Sequence, residues 1–162
     1  MSALKVIPTR EEQIFYCKKI ARQLGVKVRF KKMKGCSGAY DFELNTIEVN
    51  IAIPTNPAGI FFHELGHWYA HKVRKFPLYH GPLPTTKKKW LALCSQALRA
   101  ERWVDNWGEK QCGIIFPGLR YQKCYISQHD KIYMDKWLDS IARGIKYPPK
   151  RSKRASKIYE SK

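Results

Sequence analysis

The chain has 162 residues, 44% of them hydrophobic and 13% aromatic, which is enough apolar mass for one compact core and too much for a disordered protein. The 31 Lys and Arg against 13 Asp and Glu give +18, and residues 143–162 hold only eight of the basic residues, so most of the excess belongs to the body of the chain, the electrostatic footprint of a protein that works near nucleic acid, an anionic membrane or an acidic partner. Five cysteines without a C-x-x-C pair exclude a readable disulfide framework or zinc ribbon, and the absence of an apolar leader and of any run of 18 apolar residues points to a cytoplasmic protein that spans no membrane.

The first readable element follows Pro8. Thr9 has N-cap character, Glu11 and Glu12 place negative charge in a first turn, and Ile14, Phe15, Cys17, Ile20, Ala21 and Leu24 recur at helical spacing until Gly25. An amphipathic helix of about four turns is expected. Val26, Val28 and Phe30 then alternate with Lys27, Arg29 and Lys31, the period of a half-buried strand with a basic outer face. Gly35-Cys36-Ser37-Gly38 reads as a turn. Tyr40, Phe42 and Leu44 alternate with Asp41, Glu43 and Asn45, and Ile47, Val49 and Ile51 alternate with Glu48 and Asn50, so two strands are expected to meet around Asn45-Thr46.

Pro54-Thr55-Asn56-Pro57 breaks the sheet and starts a helix expected over residues 58–72. Ile60, Phe61, Phe62, Leu65, Trp68 and Tyr69 surround most of it with apolar mass, as in a core helix. Within it lies His63-Glu64-Leu65-Gly66-His67. One helical turn apart on one face, His63 and His67 can both reach a single tetrahedral Zn²⁺ through nitrogens at roughly 2.0–2.1 Å, while Glu64 stays beside the ion without binding it. Such an ion lowers the pKa of its water towards roughly 7, and an adjacent carboxylate takes the proton and passes it to a leaving amine. The chemistry implied is metal-assisted peptide hydrolysis. Gly66 costs about 1 kcal/mol relative to Ala inside a helix, a penalty that makes sense where another backbone passes close by.

Residues 73–84, with Pro77, Gly81, Pro82 and Pro84, read as an irregular connection, followed by a long helix expected over residues 85–110. Glu101 falls on the apolar stripe of that helix with Trp90, Cys94, Ala97, Leu98, Val104 and Gly108, where a carboxylate is costly unless paired or bound to a cation. A catalytic zinc needs a third protein ligand, and Glu101 is the best candidate. Asp105, one turn later, is placed to accept a hydrogen bond from the free nitrogen of a ligating His. The alternative is an ordinary helix edge on which Glu101 and Asp105 pair with Arg99 or Arg102. His71 lies two turns, about 12 Å, beyond His63 and does not close on the same ion; His80 and His129 are isolated. Residues 112–125 read as a loop and residues 128–143 as a further helix, with a basic tail after Pro148-Pro149.

The HELGH run at residues 63–67 followed by Glu101-Arg102-Trp103-Val104-Asp105 resembles the gluzincin metallopeptidases, and the order helix, strand, hairpin, HExxH helix, second helix is similar to the minimal core of the ImmA/IrrE and SprT-like families. The resemblance covers roughly residues 10–110 and lacks both the zinc ribbon of the SprT kind and a helix-turn-helix. It implies an α+β zincin-like metallopeptidase domain over residues 1–145 and a tail over residues 146–162. It also implies one Zn²⁺ on His63, His67 and Glu101, Glu64 as general base, and Asp105 supporting a zinc-bound His.

The expected activity is therefore that of a zinc endopeptidase acting on a protein substrate, with DNA as a further partner through the basic surface and tail. The rival is a non-catalytic module that binds nucleic acid or an acidic protein and retains a zinc site. Tyr79, His80, Tyr121 and Tyr125 are the candidates for polarising a carbonyl and stabilising an oxyanion, with nothing in the sequence to choose among them.

Overall fold

The computed structural model describes residues 7–34, 36–53, 56–75 and 86–121. They form a mixed α+β arrangement of α1 (Arg10–Leu24), β1 (Lys27–Lys31), β2 (Gly38–Asp41), β3 (Thr46–Asn50), α2 (Pro57–Lys72) and α3 (Lys87–Ile115). The chain divides into two compact units, Met1–Pro77 with Val104–Cys124, and Leu78–Trp103 with Tyr125–Lys162. The first unit holds α1, α2, the sheet and the C-terminal half of α3. Of the second, the described part is residues 86–103, the N-terminal half of α3 with the turn residue before it.

α1 is closed at both ends by its own sequence. The Thr9 hydroxyl accepts the Glu12 N–H while the Glu12 carboxylate accepts the Thr9 N–H at 2.7 Å, a reciprocal capping box that satisfies two helix-end donors. Gly25 takes a left-handed φ of 69° and its N–H reaches back to Ala21 and Arg22 carbonyls. These are the limits that the N-cap and glycine signals predict.

The sheet has the order β1-β3-β2, with β1 parallel and β2 antiparallel to the central β3. The register places Val28 beside Ile47 and Tyr40, and Phe30 beside Val49 and Gly38, on one face, which α1 covers at β1 and α2 covers at β3 and β2. Ile47 and Val49 are fully buried there. On the other face Arg29 lines up with Glu48 and Ala39. Asn50 stitches the β1–β2 connection: its Nδ2 donates to the Met33 and Cys36 carbonyls, and its Oδ1 accepts from the Met33 and Ala52 N–H groups.

Two boundaries differ from the sequence expectation. β2 ends at Asp41 rather than running to Leu44, because the Asp41 carboxylate accepts the N–H groups of both Glu43 and Leu44 at 3.0 Å and curls the chain into a turn before Asn45 at φ 49°. α3 runs on to Ile115 through a segment expected to be loop. Gly113 faces open space and is tolerated, while Cys112 and Phe116 are buried in the core with Cys17 and Phe62 and hold the last turns in place. Burial raises the Cys112 thiol from 9.0 to about 11, and burial followed by the nearby Cys112 thiol raises Cys17 as well. The expected helix over residues 128–143 and the tail lie outside the described residues. No helix among the described residues is long and apolar enough to cross a membrane.

Candidate metal centre

α2 is far more enclosed than α1, with Phe61, Phe62 and Leu65 buried along it and also His63 and Glu64, which are only 3% and 4% exposed. Its entry is arranged by the neighbours. Pro57 occupies the first turn, where its missing N–H costs nothing, and the Asn56 side chain makes no cap bond, donating instead to the Arg120 carbonyl at 3.1 Å. The orphan N–H of Ala58 is accepted by the buried Gln13 side chain of α1 at 3.4 Å. Further along, Trp68 donates its indole N–H to Asn45 at 3.1 Å, tying the helix to the hairpin turn one residue after His67.

On this fixed helix His63 Nε2 and His67 Nε2 lie 3.2 Å apart, their ring planes at 76°. Two nitrogens bound at roughly 2.05 Å with a tetrahedral angle between them would be about 3.3 Å apart, so the pair already has the spacing of two ligands on one ion. His63 Nδ1 meets Asp105 Oδ1 at 2.8 Å in a buried contact. A carboxylate accepts only, so His63 Nδ1 is the donor, and in the neutral ring the bare lone pair is then that of Nε2, the atom that faces His67. One ligand atom each from His63, His67 and Glu101 lies within 4.8 Å of the others, and this group could hold a metal ion. Glu101 is half-buried with Oε2 fully enclosed, and it stands one turn before Asp105 on the unbroken α3. Two imidazoles and a carboxylate suit a divalent first-row ion, and the residues present fit such a group.

Two glycines set the surroundings of this group. A Cβ at Gly66 would come within 2.9 Å of Val104 Cγ1 and 3.3 Å of the Val104 carbonyl, so the glycine allows the backbone of α3 to pass close to α2, as its cost within a helix suggests. At the start of β2, a Cβ on Gly38 would lie 2.8 Å from Glu64 Oε1 and 2.6 Å from Ile60 Cγ2. The strand therefore runs hard against the Glu64 carboxylate. Glu64 is no member of the metal-holding group.

Of the other candidates, His71 and Tyr121 are among the described residues. His71 sits at the far end of α2, where its Nδ1 lies 3.2 Å from the Tyr40 hydroxyl and its ring packs between Tyr40 and Phe42. Burial, then the Asp41 charge, raises that Tyr40 hydroxyl above its ordinary pKa. Tyr121 brings its hydroxyl to Asp105, at the Nδ1 edge of His63. Tyr79, His80, Tyr125 and His129 lie outside the described residues. Sequence reasoning did not single out Gly38, Gln13 or the contact of Tyr121 with Asp105. Only Gly108, a second costly glycine inside a helix, offered a signal for the last of these. Compared with known proteins, the chain matches no family model, no curated protein and no solved structure.

Proposed function

We propose that the chain is a zinc-dependent endopeptidase with a gluzincin-like core, in which His63, His67 and Glu101 hold one zinc ion and Glu64 is the general base. The observation that carries this reading is the convergence of the three ligand atoms within 4.8 Å around an imidazole pair at ligand spacing. When bound, zinc supplies Lewis acidity, polarising the scissile carbonyl and acidifying water.

The remaining work falls to the chain itself. Asp105 holds the His63 tautomer that leaves Nε2 bare. Glu64, next in sequence to His63 and buried, takes the proton of the attacking water and returns it to the amine nitrogen as the peptide bond breaks. Because β2 is an edge strand among the described residues and begins against Glu64, its outer edge would offer backbone donors and acceptors to an extended substrate segment passing the carboxylate. The low exposure of His63 and Glu64 keeps bulk water from competing for these groups.

The test combines metal content with turnover. Purified protein should carry one equivalent of zinc, and Glu101→Ala should lose it. Glu64→Gln should keep the zinc and lower hydrolysis of an unstructured protein such as casein about 10²- to 10⁴-fold. A protein that binds no zinc, or a Glu64→Gln variant as active as wild type, would sink the reading.

A second reading rests on charge. Lys27, Arg29 and Lys31 project from one face of β1, all exposed, and Glu48 on β3 pairs with Lys31 at 2.6 Å and with Arg29 at 3.9 Å, leaving the strand net positive. Such a face suits a phosphate backbone whether or not the metal centre is active. DNA affinity that falls linearly with the logarithm of salt, and a slope that shrinks by about one unit per Lys removed, would support it.

A further inference from the structure

Asp105 Oδ1 receives more than the His63 contact. The Tyr121 hydroxyl donates to the same oxygen at 3.4 Å, so the chain of groups runs Tyr121 Oη–H to Asp105 Oδ1 to His63 Nδ1–H. The tyrosine reaches that position because two features are built for it. First, Gly108 lies one turn after Asp105, and a Cβ there would come within 2.8 Å of the Tyr121 hydroxyl and 3.0 Å of the Phe62 carbonyl. The missing side chain is the space the hydroxyl occupies. Second, the turn before Tyr121 is anchored: Phe116 and Leu119 are buried, Leu119 N–H donates to the Phe116 carbonyl at 3.0 Å, Gly118 takes φ 92°, and the Arg120 carbonyl accepts from Asn56 at the head of α2. Tyr121 is thereby tied to the helix that carries His63.

We infer that Tyr121 is a positioning residue for the metal centre, acting through Asp105 to hold the His63 imidazole in its ligating orientation. This rests on the metal-binding reading above. A carboxylate that accepts from one imidazole alone can still rotate about its own bonds. A second donor on the same oxygen restricts that rotation and narrows the directions in which Nε2 points. The gain is in preorganisation, and the 3.4 Å length places Tyr121 below Asp105 in effect.

The test is a double-mutant cycle read by zinc affinity, measured on the full chain by competition with a chromogenic chelator. Asp105→Ala should weaken zinc binding about 10- to 100-fold and Tyr121→Phe about 3- to 10-fold. Adding Tyr121→Phe to Asp105→Ala should weaken it no further, because the proposed effect of the hydroxyl passes through that carboxylate. Gly108→Ala, which pushes the hydroxyl out and also crowds the Phe62 backbone, should weaken zinc binding at least as much as Tyr121→Phe, and the visible spectrum of the Co²⁺-substituted protein should broaden in both. Should Tyr121→Phe bind zinc as wild type does, or weaken it equally with and without Asp105, the relay is overturned while the metal centre stands. If wild-type protein binds no zinc, the metal centre and the relay fall together. Thermal melting of each variant without metal separates a loss of fold from a loss of ligand orientation.

Discussion

α1 and α2 are nearly equal in length, fifteen and sixteen residues, and opposite in how they are held. α1 carries its own stop and start: Thr9 and Glu12 cap one end, Gly25 the other, and only Gln13, Cys17 and Ala21 are buried along it. α2 has no side-chain cap of its own, takes a donor's partner from Gln13 of α1, is pinned by Asn45 through Trp68, and buries eleven of its residues. A helix stabilised by local signals needs little from its neighbours. One stabilised by enclosure can hide imidazoles and a carboxylate from water, and α2 is the helix that carries His63, Glu64 and His67.

Substitutions at the borrowed contacts sharpen this contrast. The largest effect is expected at Gly38. Gly38→Ala must displace Ile60 or the Glu64 carboxylate, and a displacement of about 1 Å at a reacting group costs about 100-fold in turnover, to be read as a fall in kcat for casein cleavage with zinc content retained. Next is Gly66→Ala, which overpacks the α2–α3 contact against Val104 and should cost about 1–3 kcal/mol in urea unfolding, with weaker zinc binding because Asp105 lies one residue beyond Val104.

Capping gives the direct comparison of the two helices. Gln13→Ala leaves the buried Ala58 N–H without its acceptor and should cost about 1–3 kcal/mol, whereas Thr9→Ala removes a solvent-exposed cap worth about 1 kcal/mol. Only the first should also weaken zinc binding, because only the first acts on α2. Equal losses in stability and in zinc affinity from both would erase the distinction drawn between the helices.

The smallest effect is a pH dependence at the α1–α3 contact. Neutral Cys17 and Cys112 are favoured in the folded state, so their contribution is complete below the unfolded thiol value of 9.0 and is lost as pH rises towards about 11. The urea midpoint should fall between pH 9 and pH 11, and the Cys112→Ala variant should show less of that fall.

The parts of the fold legible in the sequence are those with local causes. The limits of α1 follow from Thr9 and Gly25, the strands β1 and β3 from their alternation, and α2 from the proline pair and the apolar run. Where a side chain competes for backbone donors the pattern misleads: Tyr40, Phe42 and Leu44 alternate as a strand would, yet Asp41 takes the N–H groups of the last residues and ends β2 early. Gly113 likewise reads as a breaker, although burial of Cys112 and Phe116 outweighs its cost.

For the candidate site, spacing alone put His63 and His67 on one face of a helix and Glu64 beside them, because a helix repeats at a known angle wherever it lies. Spacing also marked Glu101 and Asp105 as polar groups on an apolar stripe. Which edge of the His63 ring meets Asp105, how Gly38 brings β2 against Glu64, and that Tyr121 reaches the same carboxylate are matters of tertiary structure alone. Residue 38 is far along the chain from residue 64, as residue 63 is from residues 105 and 121, and no local rule relates the partners. They meet because burying Phe61, Phe62, Ile47 and Val49 in one core leaves room for a single approach of β2 and α3 to α2.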